Sequence, residues 1–166
     1  DALPISIASV QLRDAQTPGE FTRRIEAFAK SVEPGEWIIG GAWDHTNWGG
    51  ELPRRDWIDA VTADNPVWIS RLDGHMALAN TAALRIAGVD ADTPDIDGGE
   101  IIRDDQGRPT GLLKDNAMSL VYAAMPLSSD AKLEREVRAA IGRLPDRQRE
   151  AVVLKRLRGL SYREIA

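Results

Sequence analysis

This chain is built around Val67-Trp68-Ile69-Ser70-Arg71, a run rich in β-branched and aromatic residues that follows the Asp64-Asn65-Pro66 turn. Its composition and its flanking turn predict a short buried strand. A second buried strand is predicted at Trp37-Ile38-Ile39-Gly40-Gly41. Predicted helices alternate with these strands in the first part of the chain, which indicates an α/β fold.

Three helices are predicted around the two strands. The first begins at Thr17, which caps it, with Pro18 at the first helical position and Glu20 completing a capping box, and it runs to about Val32. The other two are predicted at 54–63 and at 77–87, the latter closed by Gly88.

The second half of the chain has a different predicted pattern. Residues 90–99 form a loop, and two strands at 100–103 and 110–113 are joined by a turn at 104–108. From Asp115 onward the sequence predicts helices alone, broken near 126–129, 142–145 and 159–160.

Length and composition exclude several classes of protein. At 166 residues, the chain is too short for a closed eight-stranded α/β barrel, which needs roughly 200 residues or more. It has no cysteine, which excludes disulfides and thiolate metal sites. No apolar run approaches the roughly 18 residues of a membrane span. We therefore expect a soluble, cytoplasmic protein without a membrane partner.

Charge divides the chain into two parts. Residues 1–141 contain 14 Lys and Arg against 23 Asp and Glu, whereas residues 142–166 contain seven against three. An acidic body followed by a basic tail suggests two different partners.

The chain contains only two histidines, His45 and His75. Neither has the His-x-His or His-x3-His spacing that lets two imidazoles reach one ion. From spacing alone, loop hydrogen bonding is favoured over metal ligation for both. His75 also follows the end of a predicted strand, where α/β enzymes place functional groups.

A series of linked motifs extends over about residues 7–141. The motifs are Gly35-Glu36-Trp37-Ile38-Ile39-Gly40-Gly41-Ala42-Trp43-Asp44, Leu52-Pro53, the run from Pro66 to Asn80, Ala83-Leu84, Ala87-Gly88-Val89, Thr93-Pro94, Gly98-Gly99-Glu100-Ile101 and the run from Pro109 to Ala117. In their order and spacing they resemble one enzyme family, amidohydrolase family 3, in its YtcJ-like branch.

The resemblance implies a metal-dependent hydrolase of amide or other carbon–nitrogen bonds, built on a barrel with an inserted lid-like region. It implies a divalent metal, with zinc preferred, and a small-molecule amide as substrate. In such enzymes the ion acts as a Lewis acid and activates a bound water. The candidates for substrate contact are Asp44, Arg71, Asp73 and His75.

Two further residues are candidates for a position facing the metal. Lys114 would need carboxylation to bind an ion, whereas Asp115 could ligate directly. The alternative is that both simply cap the helix that starts there. The family's His-x-His strand would precede residue 1, and its later histidines and catalytic aspartate would follow Ile141. We therefore expect the chain itself to lack most metal ligands and to be inactive.

In the basic tail, Leu144-Pro145 is predicted to start a helix that Gly159 ends, and Ser161 to cap the first helix of a helix-turn-helix, with Glu164 three positions on. This pattern resembles region four of RNA polymerase sigma factors of the extracytoplasmic-function type. The resemblance implies DNA and the RNA polymerase core as partners, and promoter recognition as an alternative function. The base-reading helix would begin after Ala166, so only phosphate contacts are expected, from Arg156, Tyr162 and Arg163. The alternative is an amphipathic basic helix that packs on its own domain.

These observations give one hypothesis of organisation. Residues 1–6 are interpreted as adapter-derived, 7–141 as a partial amidohydrolase domain and 142–166 as a truncated helix-turn-helix. The expected fold class is an α/β fragment of an amidohydrolase barrel with its inserted lid region, followed by an all-α tail. Because both parts are cut within their folds, we interpret the chain as a chimeric gene fragment. A natural fusion and a stand-alone interaction domain are the alternatives.

Overall fold

The computed structural model describes residues 8–126. Six strands and four α-helices follow one another in the order β1, α1, β2, α2, β3, β4, α3, β5, β6, α4. Short 3₁₀ helices lie at His45–Trp48 and Asn116–Met118. The strands are β1 Ala8–Gln11, β2 Ile38–Trp43, β3 Val67–Arg71, β4 Met76–Ala79, β5 Gly99–Arg103 and β6 Pro109–Asp115. The helices are α1 Pro18–Ala29, α2 Asp56–Asp59, α3 Thr81–Ala87 and α4 Ser119–Ala124.

The six strands form one mixed sheet in the order β1-β2-β3-β4-β6-β5. The first three are parallel, whereas β4 is antiparallel to both of its neighbours, β3 and β6, and β5 is antiparallel to β6. The carboxyl ends of β2, β3 and β6 therefore lie at the same edge of the sheet as the amino end of β4.

Hydrophobic clusters cover both faces of the sheet. Side chains alternate between faces along a strand, and the neighbours Leu112 and Leu113 accordingly belong to different clusters. One cluster includes Phe21 and Ile25 of α1, and the other includes Leu84 of α3 and Val121 of α4. The helices thus cover opposite faces, which makes the described part an α/β sheet structure.

Several predicted elements are confirmed. Strand β3 has the predicted bounds, and the two strands around the 104–108 turn pair as predicted. Helix α1 begins as predicted, because the Thr17 hydroxyl accepts from the backbone N–H of Glu20 at 3.0 Å. The Glu20 carboxylate accepts from the N–H of Gln16 at 2.9 Å rather than from Thr17. The helix ends at Ala29, three residues before the predicted end.

The predicted helix at 77–87 is wrong over its first part. Residues 76–79 are strand β4, which pairs with β3 on one side and β6 on the other. The helix begins only at Thr81, after Asn80, whose side chain caps it by accepting from the N–H of Ala83 at 3.0 Å. Helix α2 is also shorter than the predicted 54–63, and strand β1 was not predicted.

A local irregularity ends strand β2. Gly40, Gly41 and Ala42 all have positive φ, at 92°, 97° and 53°. The register with β3 shifts between Gly41 and Trp43, as in a β-bulge. A Cβ on Gly40 would lie 2.9 Å from the carbonyl oxygen of Val10, so the close approach of β1 requires glycine there. Trp43 is then fully buried and donates to the Ile69 carbonyl at 3.0 Å.

The expected adapter residues 1–6 and the all-α tail at 142–166 lie outside the described residues. The proposed division of the chain near residue 141 therefore stays a prediction. Within residues 8–126, no helix is long and apolar enough to span a membrane.

Candidate functional site

The structure places the six candidates for substrate or metal contact along one edge of the sheet, which we call the site edge. Asp44 directly follows β2, Arg71 ends β3, and Asp73 lies in the turn between β3 and β4. His75 directly precedes β4. Lys114 and Asp115 end β6. Because of the strand directions, residues that are up to 71 positions apart in the sequence lie at the same edge of the sheet.

Arg71 lies between two carboxylates. Its Nη1 is 2.6 Å from Oδ2 of Asp73, and its Nη2 is 3.9 Å from Oδ1 of Asp44. Its Nε is buried and has no hydrogen-bond partner among residues 8–126. The guanidinium therefore keeps donors that the described neighbours leave unused.

Asp44 is held by the residues that follow it. Its Oδ1 accepts from the backbone N–H of Thr46 at 3.0 Å and from the Thr46 hydroxyl at 2.8 Å. The hydroxyl first, then the N–H, and then the positive charge of Arg71 hold the pKa of Asp44 below its ordinary value. Thr46 was missed by the sequence reasoning, although Asp-x-Thr spacing is typical of such side-chain turns.

Asp73 connects Arg71 to His75. While Oδ2 of Asp73 contacts Arg71, Oδ1 accepts from the backbone N–H of His75 at 3.1 Å. The turn is closed by the N–H of Gly74, which donates to the Arg71 carbonyl at 3.0 Å, and Gly74 has a φ of 76°. The side chain of Asp73 thereby fixes the backbone position of His75 at the end of the turn.

His75 pairs with Asp115 across β4 and β6. Nδ1 of His75 lies 2.9 Å from Oδ1 of Asp115, and the Asp115 N–H donates to the His75 carbonyl at 3.0 Å. A carboxylate accepts, so this ring nitrogen donates and Nε2 is left facing outward. The His75 side chain is 76% exposed, so the imidazole is accessible to a ligand.

Asp115 has a backbone conformation that is rare for a residue with a side chain, φ 48° and ψ −124°. Its neighbours hold it there. The N–H of Asn116 donates to Gly98 at 3.2 Å, the Asn116 amide donates to Asp97 at 2.9 Å, and a Cβ on Gly99 would clash with the backbone of Ala117. Strained residues of this kind cluster at functional sites.

The structure separates Lys114 from the His75–Asp115 pair. Alternation along β6 puts neighbouring side chains on opposite faces. Lys114 instead pairs with Glu100 of β5, with its Nζ 3.2 Å from Oε2. Asp115 does occupy the N-cap position of the 3₁₀ helix at Asn116–Met118, as the alternative reading expected, but its side chain makes no capping hydrogen bond there.

His45 does not face outward as His75 does. Its ring stacks edge-on against Trp43, with ring centroids 6.2 Å apart, and its Nδ1 is buried without a hydrogen-bond partner among the described residues. Nδ1 lies 3.8 Å from Oδ1 of Asp44. The position of His45 is that of a packed residue at the rim of the core.

The described residues do not complete a metal site. Catalytic zinc sites take three protein ligands. Within residues 8–126, no group of three or more His, Asp or Glu side chains is placed to hold an ion. His75 and Asp115 supply two such side chains, and they are bonded to each other.

Comparison with known proteins shows similarity to one family along nearly the whole chain. Residues 6–163 match the model of the amidohydrolase family. The protein LONG AFTER FAR-RED 3 of Arabidopsis thaliana is 45% identical over 137 residues, which are 82% of this chain and 24% of that protein. The putative amidohydrolase YtcJ of Bacillus subtilis is 36% identical over 68% of this chain and 21% of its own length. The N-substituted formamide deformylase of Arthrobacter pascens is 34% identical over 67% and 22%.

Two solved structures resemble the described fold. An uncharacterized metal-dependent hydrolase from Pyrococcus horikoshii aligns with a TM-score of 0.51 and 27% identity, covering 70% of this chain and 20% of that one. A second, from Pyrococcus furiosus, aligns with a TM-score of 0.50 and 23% identity over 69% and 20%. The latter supports the fold alone.

The comparisons bear on the expected tail as well. The chain spans about a quarter of the length of the curated relatives that it matches. The family match runs through residues 142–163, where the sigma factor segment was expected, and the comparisons give that segment no support. Arg156, Tyr162 and Arg163 lie outside the described residues, so their DNA contacts stay predictions.

Proposed function

Because this chain belongs to the amidohydrolase family, we propose that it forms part of a metal-dependent hydrolase that cleaves carbon–nitrogen bonds in small-molecule amides. The proposal rests on the site edge. There the ends of β2, β3, β4 and β6 bring Asp44, Arg71, Asp73, His75 and Asp115 together. The names of two relatives, an amidohydrolase and a formamide deformylase, support the same reaction class.

Within this proposal, the residues of the site edge have different roles. His75 contacts the substrate, because its imidazole is exposed and oriented by Asp115. Arg71 contacts a polar group of the substrate through the remaining N–H groups of its Nη1 and Nη2, while Asp44 and Asp73 hold the guanidinium in place. We propose a divalent ion, preferably zinc, only for the complete protein, because the described residues do not form a three-ligand centre.

The test is an assay of the complete polypeptide encoded by the reading frame that contains this chain. We expect the purified, metal-loaded protein to release amine from at least one class of neutral amide. His75→Ala and Arg71→Ala should each lower kcat/KM by about 10²-fold, the order expected when a positioned polar group is removed from a reacting site. Lys30→Ala, an exposed substitution directly after α1, is the matched control and should leave the rate unchanged.

Two results would contradict this proposal in different ways. A folded, metal-loaded protein that releases amine from none of the amides would reject the reaction class. Activity that survives both His75→Ala and Arg71→Ala would keep the reaction class and reject the roles given to the site edge.

A further inference from the structure

A groove opens beside the His75–Asp115 pair. Its volume is about 520 Å³, within the range of roughly 300–1,000 Å³ found for small-molecule sites. It lies between the β3–β4 turn, the end of β6 and helix α4. The lining residues are Gly74, Ile96, Asp115, Asn116, Met118, Ser119 and Tyr122.

Part of the groove lining is polar and accepts hydrogen bonds. Asp115 uses Oδ1 for His75, and its Oδ2 has no hydrogen-bond partner among residues 8–126. The Ser119 hydroxyl donates to the Asn116 carbonyl at 2.7 Å, which leaves its oxygen free to accept. Because the lining includes the Asp115 carboxylate, the groove favours a ligand with a donor such as an amide N–H and disfavours a ligand with an anionic group.

Another part of the lining is apolar and includes an exposed aromatic ring. Tyr122 is 51% exposed and is one of three large hydrophobic side chains that are exposed among the described residues. Its ring stands edge-on to Trp68, with centroids 5.6 Å apart and an interplanar angle of 86°. Trp68 is only 2% exposed, so a buried residue supports the tyrosine ring and fixes a flat surface beside the site edge.

We propose that this groove binds an uncharged aromatic substituent on the nitrogen of the amide substrate, with Tyr122 as the specificity-determining residue. The inference rests on the proposed function and deepens it by naming the substrate class. The amide N–H donates to Asp115, so the nitrogen is the end of the amide that lies nearest the groove. Its substituent then packs against Tyr122, Met118 and Ile96.

The negative charge of Asp115 narrows the substrate class to amides whose nitrogen substituent carries no carboxylate. An N-acyl amino acid carries a carboxylate on the carbon next to its amide nitrogen, within a few ångströms of the acceptor. Like charges at that separation repel. N-(2-phenylethyl)acetamide and N-acetylphenylalanine differ only in this carboxylate, so the pair separates recognition of the ring from recognition of the charge.

The experiment is a titration of the 166-residue chain followed by NMR. We expect N-(2-phenylethyl)acetamide to shift the signals of Tyr122 and Met118 saturably, and N-acetylphenylalanine and N-ethylacetamide to bind more weakly. Tyr122→Ala should weaken binding by about three- to ten-fold, the value of one aromatic pair, and Tyr122→Phe should retain it. Ile86→Ala is the matched control, because Ile86 is 53% exposed on α3 and does not line the groove.

Two measurements keep this inference separate from the proposed function. Absence of saturable shifts at Tyr122, or equal affinity in Tyr122→Ala with a native-like spectrum, overturns the groove even if the complete protein hydrolyses amides. Binding with the expected selectivity, but without hydrolysis by the complete protein, overturns the reaction alone. In an active complete protein, Tyr122→Ala should also raise KM for the phenylethyl amide and leave KM for the ethyl amide unchanged.

Discussion

Single residues at the site edge are positioned largely by their neighbours in the sequence. Asp44 accepts from Thr46, and Arg71 pairs with Asp73 two positions on. Such short-range contacts form as soon as the local backbone is in place, and they need little from the rest of the molecule. The sequence analysis named Asp44, Arg71 and Asp73 through the family resemblance, whereas these local contacts are what position their side chains.

The hydrogen bonds to Asp44 lead to a prediction about pH. Thr46→Val removes the hydroxyl that most lowers the pKa of Asp44 and keeps the backbone N–H, so the pKa should rise toward the ordinary value of about 3.9. A lowered folded-state pKa adds stability that is present above the unfolded pKa and is lost as the pH falls through the folded one. The variant should therefore lose less stability than the wild type below about pH 4.

Carboxyl NMR titration of Asp44 and acid-unfolding curves measure both effects. Thr22→Val on α1 is the control and should change neither. An unchanged Asp44 pKa in Thr46→Val would mean that the hydroxyl is not what stabilises the charged form.

Whole elements were predicted well where sequence pattern and tertiary pairing agree. β3 was predicted to the residue, because β-branched and aromatic residues suit a strand that is buried between two others. Met76-Ala77-Leu78-Ala79 favours a helix by propensity, yet pairing with β3 and β6 makes it a strand. Local preference was overridden there by contacts with residues up to 38 positions away.

The same limit applies to the candidate site. The sequence placed His75 at the end of a strand and treated Asp115 as a separate metal candidate. Their pairing depends on β4 lying beside β6, which are 40 residues apart at this contact. The groove at Tyr122 has the same origin, since it joins a turn, a strand end and a helix that the sequence alone does not bring together.

Asn80 marks the boundary between β4 and α3, and its removal should be costly. Its Oδ1 accepts from Val67 and Ala83, and its Nδ2 donates to Thr62 and Asn65, all in a site that is 1% exposed. Asn80→Ala would leave several buried groups unpaired, so we expect a loss of about 2–4 kcal/mol in the free energy of unfolding.

Denaturant unfolding of Asn80→Ala measures this loss. The matched control is Thr17→Ala, which removes the exposed cap of α1 and should cost about 1 kcal/mol. Equal losses in the two variants would show that Asn80 acts only as a helix cap and that its buried network adds nothing.

The 166-residue chain offers few nitrogen or sulfur ligands for a metal ion. The sequence contains two histidines and no cysteine, and residues 8–126 form no cluster of three ligands. We expect the 166-residue chain, incubated with excess zinc and then dialysed, to retain well below one zinc per chain by elemental analysis. His75→Ala should behave in the same way. One tightly held zinc that disappears in His75→Ala would show that the chain forms a centre on its own.

The antiparallel pairing of β4 and β6 also separates a turn that should tolerate inserted residues from one that should not. The turn at 104–108 lies at the far end of β6 from Asp115 and is closed by its own contacts between Asp104 and Arg108. Extra residues inserted there during evolution would leave the site edge undisturbed. The turn from Arg71 to His75 has no such freedom, because one added residue would separate the arginine from the imidazole. Among sequences that descend from this one, insertions and deletions should therefore accumulate at 104–108 and be selected against at 72–74.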